Sequence, residues 1–282
     1  MTRKFILTNE TYTIHENLIL YRIKAIRDFG DIKAGTMGGY VQCEENLSQN
    51  GLCWIADEAK VYDYARVSGN AVVKGNAIVR DHVCVHGNAI VCDYAVLKGR
   101  VHVFDNAVVG AKSYLADGAT VNGNARVFCK PRTAKPCANR RRKSKPRKDK
   151  KHNDRFQYPN IRDFGTVTEN AQLLHRGVIR DKAILRGNAV MRDRSRLVGN
   201  AVASDNAQLN GSVRIMEDAW VLGNVFLFGW TTMCGRAIVY GQCKIGGRSI
   251  ITCNARVAGN DTLINFVISG DQCHGLMKGK RT

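Results

Sequence analysis

Aliphatic residues recur at every sixth position over most of the chain. One series runs from Ile55 to Val127, and a second runs from Val167 to Leu263. Of the 30 positions in the two series, 29 carry Ile, Leu, Val or Met and one carries Ala203, whereas average composition places these residue types at roughly a quarter to a third of positions. A period of six puts successive aliphatic side chains on different sides of an α-helix, so this region is not predicted to be helical.

The residues around each aliphatic position also follow a rule. Two positions before it the chain carries a small residue, as at Ala59 and Ala65, and two positions after it Gly or Asp dominates, as at Gly69 and Asp81. Small residues fit a crowded corner, and Gly or Asp tolerates the unusual backbone there. The pattern predicts an all-β parallel β-helix with three short strands per coil. Thirty hexads make about ten coils and a rod roughly 45 to 50 Å long.

The repeat, an aliphatic residue followed by a small one four positions later and an aliphatic one six positions later, resembles the hexapeptide-repeat superfamily. That resemblance implies a left-handed coil, against the usual right-handed crossover. The segment from Ile26 through Tyr40 and Val41 to Trp54 and Ile55 is similar to the YdcK family of hexapeptide proteins. This second resemblance covers residues 20 to 60 and implies an acetyltransferase family without an established reaction.

The repeat divides the chain into five parts. Residues 1–50 are predicted to form an N-terminal cap over the exposed strand edge, with a hairpin made from Phe5-Ile6-Leu7 and Leu18-Ile19-Leu20-Tyr21. Residues 51–128 form the first array, 129–160 an insertion, 161–268 the second array and 269–282 a C-terminal cap. In an uninterrupted coil Val127 and Val167 would be one hexad apart, so roughly 34 residues are predicted to leave the coil between them. Ile-Arg-Asp-Phe-Gly occurs at 26–30 and again at 161–165, so it is also a candidate motif for entry into the coil.

The insertion carries much of the charge. Residues 130–155 contain 13 Lys or Arg and two Asp, a net of +11 out of +19 for the chain, and all four prolines lie between 131 and 159. Such a segment has almost nothing to bury and repels itself, so disorder is expected until a polyanion orders it. Nucleic acid is the favoured partner and an acidic protein the next, with phosphate contacts and aromatic stacking from Lys130, Arg132, Lys135, Arg140, Arg141, Arg142, Lys143, Lys145, Arg147, Lys148, Lys150, Lys151, Arg155, Phe156 and Tyr158. A solvated loop without a partner, or a localisation or processing signal, is the competing interpretation.

The sequence shows neither a targeting segment nor a disulfide pattern. The polar residues that follow Leu7 come too early for a signal peptide, and no apolar run approaches the length of a membrane span, so a cytoplasmic protein without a membrane partner is expected. The ten cysteines are scattered, without a CxxC pair or metal-ligand spacing, and reduced thiols are expected.

The resemblance to hexapeptide enzymes supplies an alternative function, acyl transfer from acetyl-CoA or another acyl-CoA, often by a trimer with a His as general base. None of the seven His is predicted to have a positioned carboxylate. Gly246, Gly247 and Ser249 resemble the coils that line the pantetheine arm in that superfamily. The resemblance also invites comparison with γ-class carbonic anhydrases, but His82, His86 and His102 are not spaced by a whole coil of three hexads, so no metal site is predicted.

The sequence therefore supports two hypotheses. The favoured one is a β-helix scaffold whose basic insertion contacts nucleic acid or another polyanion. The alternative is an acyl-CoA-dependent acyltransferase, for which a homotrimer is the implied assembly. The catalytic residues are unknown on either hypothesis.

Overall fold

The computed structural model describes residues 3–14, 17–128 and 158–271, together with the backbone of 273–274. Within these ranges the chain is all-β, and its only helical segment is a 3-10 turn at Glu44–Asn46. The described residues contain no helix of a length and apolarity that could cross a membrane.

The N-terminal cap is a small antiparallel sheet. Strand β1 (Phe5–Thr13) pairs antiparallel with β2 (Ile19–Ala25), as the sequence predicts, and β2 pairs antiparallel with β3 (Met37–Val41). Strand β3 then pairs in parallel with the first coil, so the cap continues one face of the coil.

Beyond the cap, short parallel strands lie on three faces of a β-helix. The first face continues from β3 with β5 (Lys60–Val61), β8 (Ile78–Val79), β11 (Val96–Leu97), β14 (Tyr114–Leu115), β17 (Asn160–Ile161), β20 (Val178–Ile179), β23 (Arg196–Leu197), β26 (Arg214–Ile215), β29 (Thr232–Met233), β32 (Ile250–Ile251) and β35 (Val267–Ile268). The second face consists of β4 (Trp54–Ile55), β7 (Val72–Val73), β10 (Ile90–Val91), β13 (Val108–Val109), β16 (Arg126–Phe128), β19 (Gln172–Leu174), β22 (Val190–Met191), β25 (Gln208–Leu209), β28 (Phe226–Leu227), β31 (Lys244–Gly246) and β34 (Thr262–Ile264). The third face consists of β6 (Arg66–Val67), β9 (Cys84–Val85), β12 (His102–Val103), β15 (Thr120–Val121), β18 (Thr166–Val167), β21 (Ile184–Leu185), β24 (Val202–Ala203), β27 (Trp220–Val221), β30 (Ile238–Val239), β33 (Arg256–Val257) and β36 (Cys273–His274).

The period-six core is confirmed. Of the 30 positions in the two series, 29 are buried, and Leu263 in the last coil is partly exposed. The small residues two positions earlier, such as Ala59 and Ala65, are fully buried inside the corners. Each aliphatic side chain stacks on its equivalent one coil away, as Val61 does with Val79. This stacking makes one continuous hydrophobic core along the coil.

The corners show why Gly and Asp alternate there. Asp57 and Asp81 have φ angles of 55° and 62°, in the left-handed region that most side chains avoid. The Asp57 carboxylate accepts a hydrogen bond of 2.9 Å from the backbone N–H of Gly75, one coil further on. Asp81 accepts one of 2.8 Å from Gly99 in the same way. The corner carboxylates therefore satisfy backbone donors that the strands leave unpaired.

The path across the insertion differs from the prediction. Leu115 pairs with Ile161, so the sequence offset between neighbouring coils is 46 there instead of 18, and the insertion is one hexad shorter than predicted. The second array begins at Ile161, one hexad before Val167, and eleven strands lie along the second face where ten coils were predicted. The aliphatic series starts at Val167, although residue 161 is the predicted start of the second array, because Pro159 stands where the first array has its usual small residue.

The repeated Ile-Arg-Asp-Phe-Gly motif does not mark a common way into the coil. Phe29 is packed in the cap against Trp54, with ring centroids 5.5 Å apart, whereas Phe164 lies on a corner and is 66% exposed. The parallel ladder is also continuous from β14 to β17, so the second array is not a separately started unit.

Candidate basic and aromatic binding surface

The outward side of the first face is strongly basic. Three side chains per coil point away from the core there, the strand-centre residue and those two positions before and after it, because side chains alternate along a strand. Ala116, Asn160 and Val178 at these positions are nevertheless buried. From Asn76 to Thr252 these positions hold no Asp or Glu and ten cations, which are Arg80, Lys98, Lys112, Arg162, Arg176, Arg180, Arg194, Arg196, Arg214 and Arg248. We refer to this surface as the basic face.

The carboxylates nearest to the basic face lie on its two bordering corners. Asp93 and Asp181 are typical: each accepts a backbone N–H of the next coil, from Ala111 at 2.7 Å and Gly199 at 2.9 Å respectively. Arg80 forms an ion pair with a corner residue, Asp81, at 3.6 Å. Because these corner carboxylates are held along the coil axis by backbone hydrogen bonds, they border the cations without lying between them.

A shallow groove of about 590 Å³ lies across three coils of the basic face. Its walls combine tyrosine rings with cationic side chains, and it is lined by Tyr94, Val96, Lys98, Lys112, Tyr114, Tyr158, Asn160 and Arg162. We refer to it as the tyrosine groove.

Cations and rings alternate in the tyrosine groove. The Lys112 ammonium group lies 5.8 Å from the Tyr94 ring centroid and 5.3 Å from that of Tyr158. The Tyr114 ring lies 5.6 Å from the Lys98 ammonium group and 5.0 Å from the Arg162 guanidinium carbon. Among the described residues, none of these three cations forms an ion pair with a carboxylate. The groove can therefore offer cations to phosphates and ring faces to bases.

Of the predicted polyanion-binding residues, the structure describes only Tyr158. Tyr158 lies in the tyrosine groove, two residues before β17. The other predicted residues, from Lys130 to Phe156, lie outside the described residues. The chain leaves the coil after Phe128 and re-enters it at Tyr158, so the insertion is attached beside the groove.

The remaining groove residues, among them Lys98, Lys112 and Arg162, were missed by the sequence analysis. Aligning the sequence in rows of three hexads would have placed Lys98 near Tyr94 and Tyr114. It would have placed Arg162 there only if the length of the insertion were known.

The residues proposed for a cofactor lie at another corner. A side-chain carbon on Gly246 would come within 2.1 Å of the Phe228 ring, and Gly247 has a φ of 70°. Ser249 is fully buried, and its hydroxyl group donates a hydrogen bond of 2.6 Å to the Gly246 carbonyl oxygen. Coil packing alone thus accounts for a glycine at 246 and a small residue at 249.

One histidine has a carboxylate partner, contrary to the expectation from sequence. His175 Nδ1 lies 3.3 Å from Asp193 Oδ1, one coil further on, and the other oxygen of Asp193 accepts the Gly211 N–H at 3.2 Å. The pair was missed because its two residues are a full coil apart in the sequence. An imidazole held by a fixed carboxylate can serve as a general base.

Two of the three histidines compared with a zinc site make ring contacts instead. His82 stacks on Tyr64 with ring centroids 4.9 Å apart, and His86 stacks on Phe104 at 5.0 Å. In the part of the chain that the structure describes, no group of three metal-ligating side chains comes together.

The thiols are unpaired as far as the structure describes them. Seven cysteines are free within the described ranges. Burial, followed by the adjacent Asp93 carboxylate, raises the pKa of the Cys92 thiol to about 11, so this thiol is a poor nucleophile near neutral pH.

Comparisons with known proteins give one partial relative. No protein-family model matches the chain. The protein described as "Uncharacterized acetyltransferase YdcK" of Escherichia coli (strain K12) is 46% identical over 56 residues, which are 20% of this chain and 17% of that protein. The chain therefore matches less than a fifth of its curated relative's length.

A solved structure with some likeness is UDP-N-acetylglucosamine O-acyltransferase (LpxA) from Moraxella catarrhalis RH4. It has a TM-score of 0.31 and 12% identity, covering 73% of this chain and 71% of that one. This likeness is too low to carry an argument about function.

Proposed function

We propose that this hexapeptide-repeat β-helix protein binds single-stranded nucleic acid along its basic face. The observation that carries the proposal is the tyrosine groove, where Tyr94, Tyr114 and Tyr158 alternate with three cations on a surface without Asp or Glu. Cations attract the phosphate backbone regardless of sequence, and aromatic rings stack on unpaired bases.

The aromatic rings favour a single strand over a duplex. Bases in a duplex are stacked on each other, so a duplex would use only the cations. The cations of the basic face span nine coils, a track of about 40 Å at the usual strand spacing. This length suits a site of roughly 4 to 16 nucleotides, as other single-strand binders have.

The cationic insertion would add to the positive electrostatic potential of the basic face. Residues 130–155 carry a net charge of +11 and are attached beside the tyrosine groove. We therefore assign them a second, nonspecific contact with the strand, in addition to that of the groove. An acidic protein partner would use the insertion but would gain little from the stacking faces of Tyr114 and Tyr158.

The test is a fluorescence-anisotropy titration of the full chain with a labelled oligo-dT, repeated at several salt concentrations. We expect log K to fall with log salt by about 0.7 per phosphate contacted, as for single strands. The variant Lys98→Glu/Lys112→Glu/Arg162→Glu should lose binding by more than about tenfold, a free-energy cost of about 1.4 kcal/mol or more.

The matched control reverses the same amount of charge on the second face, with Lys74→Glu/Arg192→Glu/Lys244→Glu. This control should retain most of the affinity, because those residues belong to the second face and not to the tyrosine groove. Equal losses in the two variants would mean that only net charge matters. Binding of an acidic peptide in preference to oligo-dT would also contradict the proposal.

A second candidate function is acyl transfer from an acyl-CoA, suggested by the partial relative and favoured by the pairing of His175 with Asp193. His175 would accept the proton of an acceptor hydroxyl or amine as that group attacks the thioester carbonyl, and the CoA thiol would leave. Gly246, Gly247 and Ser249 are the proposed CoA contacts. Since the Ser249 hydroxyl is turned inward, they would act through backbone groups.

Acetyl-CoA at millimolar concentration separates this candidate from the first. A ligand present at 100 times its Kd stabilises the folded state by about 2.7 kcal/mol, which a thermal melt detects. The candidate also requires thiol release that His175→Asn abolishes and a trimeric mass in solution. The absence of a thermal shift would rule this candidate out.

A further inference from the structure

We infer that two copies of this chain associate through the third face, with their coil axes antiparallel and a two-fold axis between β27 and β30. The inference rests on an apolar stripe and on a row of charges beside it. It does not depend on the proposed nucleic-acid binding.

The apolar stripe runs along the strand centres of the third face. Ile184, Val202, Trp220 and Ile238 occupy successive coils in register, and Trp220 is 43% exposed whereas Val202 is 8% exposed. A tryptophan centred on an apolar surface is characteristic of binding surfaces, because it offers a large contact area at low entropic cost.

A row of polar corner residues borders the stripe. In six successive coils the residue two positions before the strand centre is, in order, Lys182, Asn200, Asp218, Arg236, Asn254 and Asp271. Within the row, Asn200 donates a hydrogen bond of 2.8 Å to Asp218, and Asn254 donates one of 2.8 Å to Asp271. The order base, amide, acid therefore occurs twice in succession, and the row has no net charge.

This order is self-complementary when the row is reversed. A two-fold axis perpendicular to the coil, between β27 and β30, sets each row against the reversed row of the second copy. Asp218 then faces Arg236 of a second copy, and Lys182 faces Asp271 of a second copy. Asn200 faces Asn254, so every position meets a charge of opposite sign or another amide.

Part of the apolar stripe follows the same symmetry. Trp220 faces Ile238 of a second copy, and Leu222 faces Tyr240 of a second copy, whereas Val202 faces Arg256 of a second copy. Such an interface is isologous, because the same patch is used by both subunits and the assembly closes at two. The overlap covers six coils, about 29 Å at the usual strand spacing.

The charge distribution explains why the partner would be a second copy. A chain with a net charge of +19 repels itself, and the ten cations of the basic face would oppose contact between two such faces. The neutral row on the third face permits close approach. Antiparallel pairing through the third face also leaves both basic faces open to solvent.

The test is the mass of the full chain in solution, measured by light scattering after gel filtration at several protein concentrations. The wild type should approach twice 31.2 kDa as concentration rises. Trp220→Glu, Asp218→Arg and Arg236→Asp should each shift the mass to that of the monomer. The control Trp230→Glu, on the basic face, should leave the dimer intact.

The double variant Asp218→Arg/Arg236→Asp decides between symmetry and simple misfolding. It restores opposite charges across the two-fold axis, so it should regain the dimer that each single variant loses. A double variant that stays monomeric overturns the inference, as does a wild type that is monomeric or trimeric at all concentrations.

Discussion

Leu115 and Ile161 are direct neighbours in a parallel ladder, although their sequence offset is 46, whereas the other neighbours on this face between Lys60 and Ile250 are offset by 18. The Asn124 side chain likewise donates to Asn170 across the same gap, at 3.0 Å. The coil therefore closes over the insertion without a break in its core or in its corner hydrogen bonds.

Because the coil is continuous across the insertion, we predict that a deletion of one specific length leaves the coil in register. Deleting residues 129–156 joins Phe128 to Gln157 in the phase of an uninterrupted coil. We expect a melting temperature at least equal to that of the wild type, because shortening a loop of this size relieves up to about 3 kcal/mol of closure entropy. Thermal unfolding followed by circular dichroism measures it.

A longer deletion provides the control. Removing residues 129–159 takes half a hexad too much, so the chain before β17 cannot reach its corner in register. That variant should have a melting temperature several degrees lower than the wild type, or fail to fold. If both deletions behaved alike, the continuous ladder between β14 and β17 would not describe the protein.

A ladder of asparagine side chains along one corner should contribute measurably to stability. Asn88 donates to Asn106 at 3.0 Å, and Asn106 donates to Asn124 at 3.1 Å. Asn106→Ala breaks both bonds and should lower the free energy of unfolding by about 1 to 2 kcal/mol, less where water replaces the lost partners. Urea unfolding gives the value. Asn76→Ala is the control, since Asn76 is exposed and its side chain makes no hydrogen bond within the described residues; an equal effect would disprove the ladder's role.

Lys4 closes the N-terminal end of the coil as a buried cation. Its ammonium group donates to the Cys53 carbonyl oxygen at 2.9 Å and to that of Gly51 at 3.2 Å, and the residue is fully buried. Lys4→Met would leave these acceptors unpaired, so we expect a loss of about 1 to 3 kcal/mol. Lys24→Met, at an exposed position of β2, is the control and should be near neutral.

Lys4 should also make stability depend on pH. Burial lowers the pKa of the folded Lys4 below 10.5, despite the opposing effect of Cys53. Between the lowered pKa and 10.5 the unfolded chain holds more protons than the folded one, so the free energy of unfolding should rise with pH across that window. The rise should be absent in Lys4→Met. A wild type that loses stability relative to Lys4→Met over this window would contradict the assigned direction.

The fold could be predicted from sequence because the period-six pattern reports the core directly. Val61 and Val79 are aliphatic for the reason that they stack in adjacent coils, and Asp57 or Asp81 is found where the backbone has a positive φ. The length of the insertion is predicted one hexad too long, because the second aliphatic series starts at Val167, whereas Ile161 already lies in the coil.

The candidate site was predicted only at its edge. Tyr158 was recognised because it adjoins the basic insertion, whereas Lys98, Lys112 and Arg162 are isolated residues in the linear sequence. They come together because the sequence offset between neighbouring coils is 18, or 46 across the insertion. His175 and Asp193 were missed for the same reason. These contacts could not be predicted because they depend on the register between coils, which residue types alone do not give.

The most direct test of nucleic-acid binding by the basic face is to map the contact itself. The full chain would be photocrosslinked to an oligonucleotide carrying 5-iodouracil, and the linked peptides identified by mass spectrometry. Iodouracil reacts readily with aromatic rings stacked on it. We predict crosslinks at Tyr94, Tyr114 and Tyr158, and Tyr114→Ala should remove the crosslink at its own peptide alone. Crosslinks confined to the insertion or to the second and third faces would contradict the proposal.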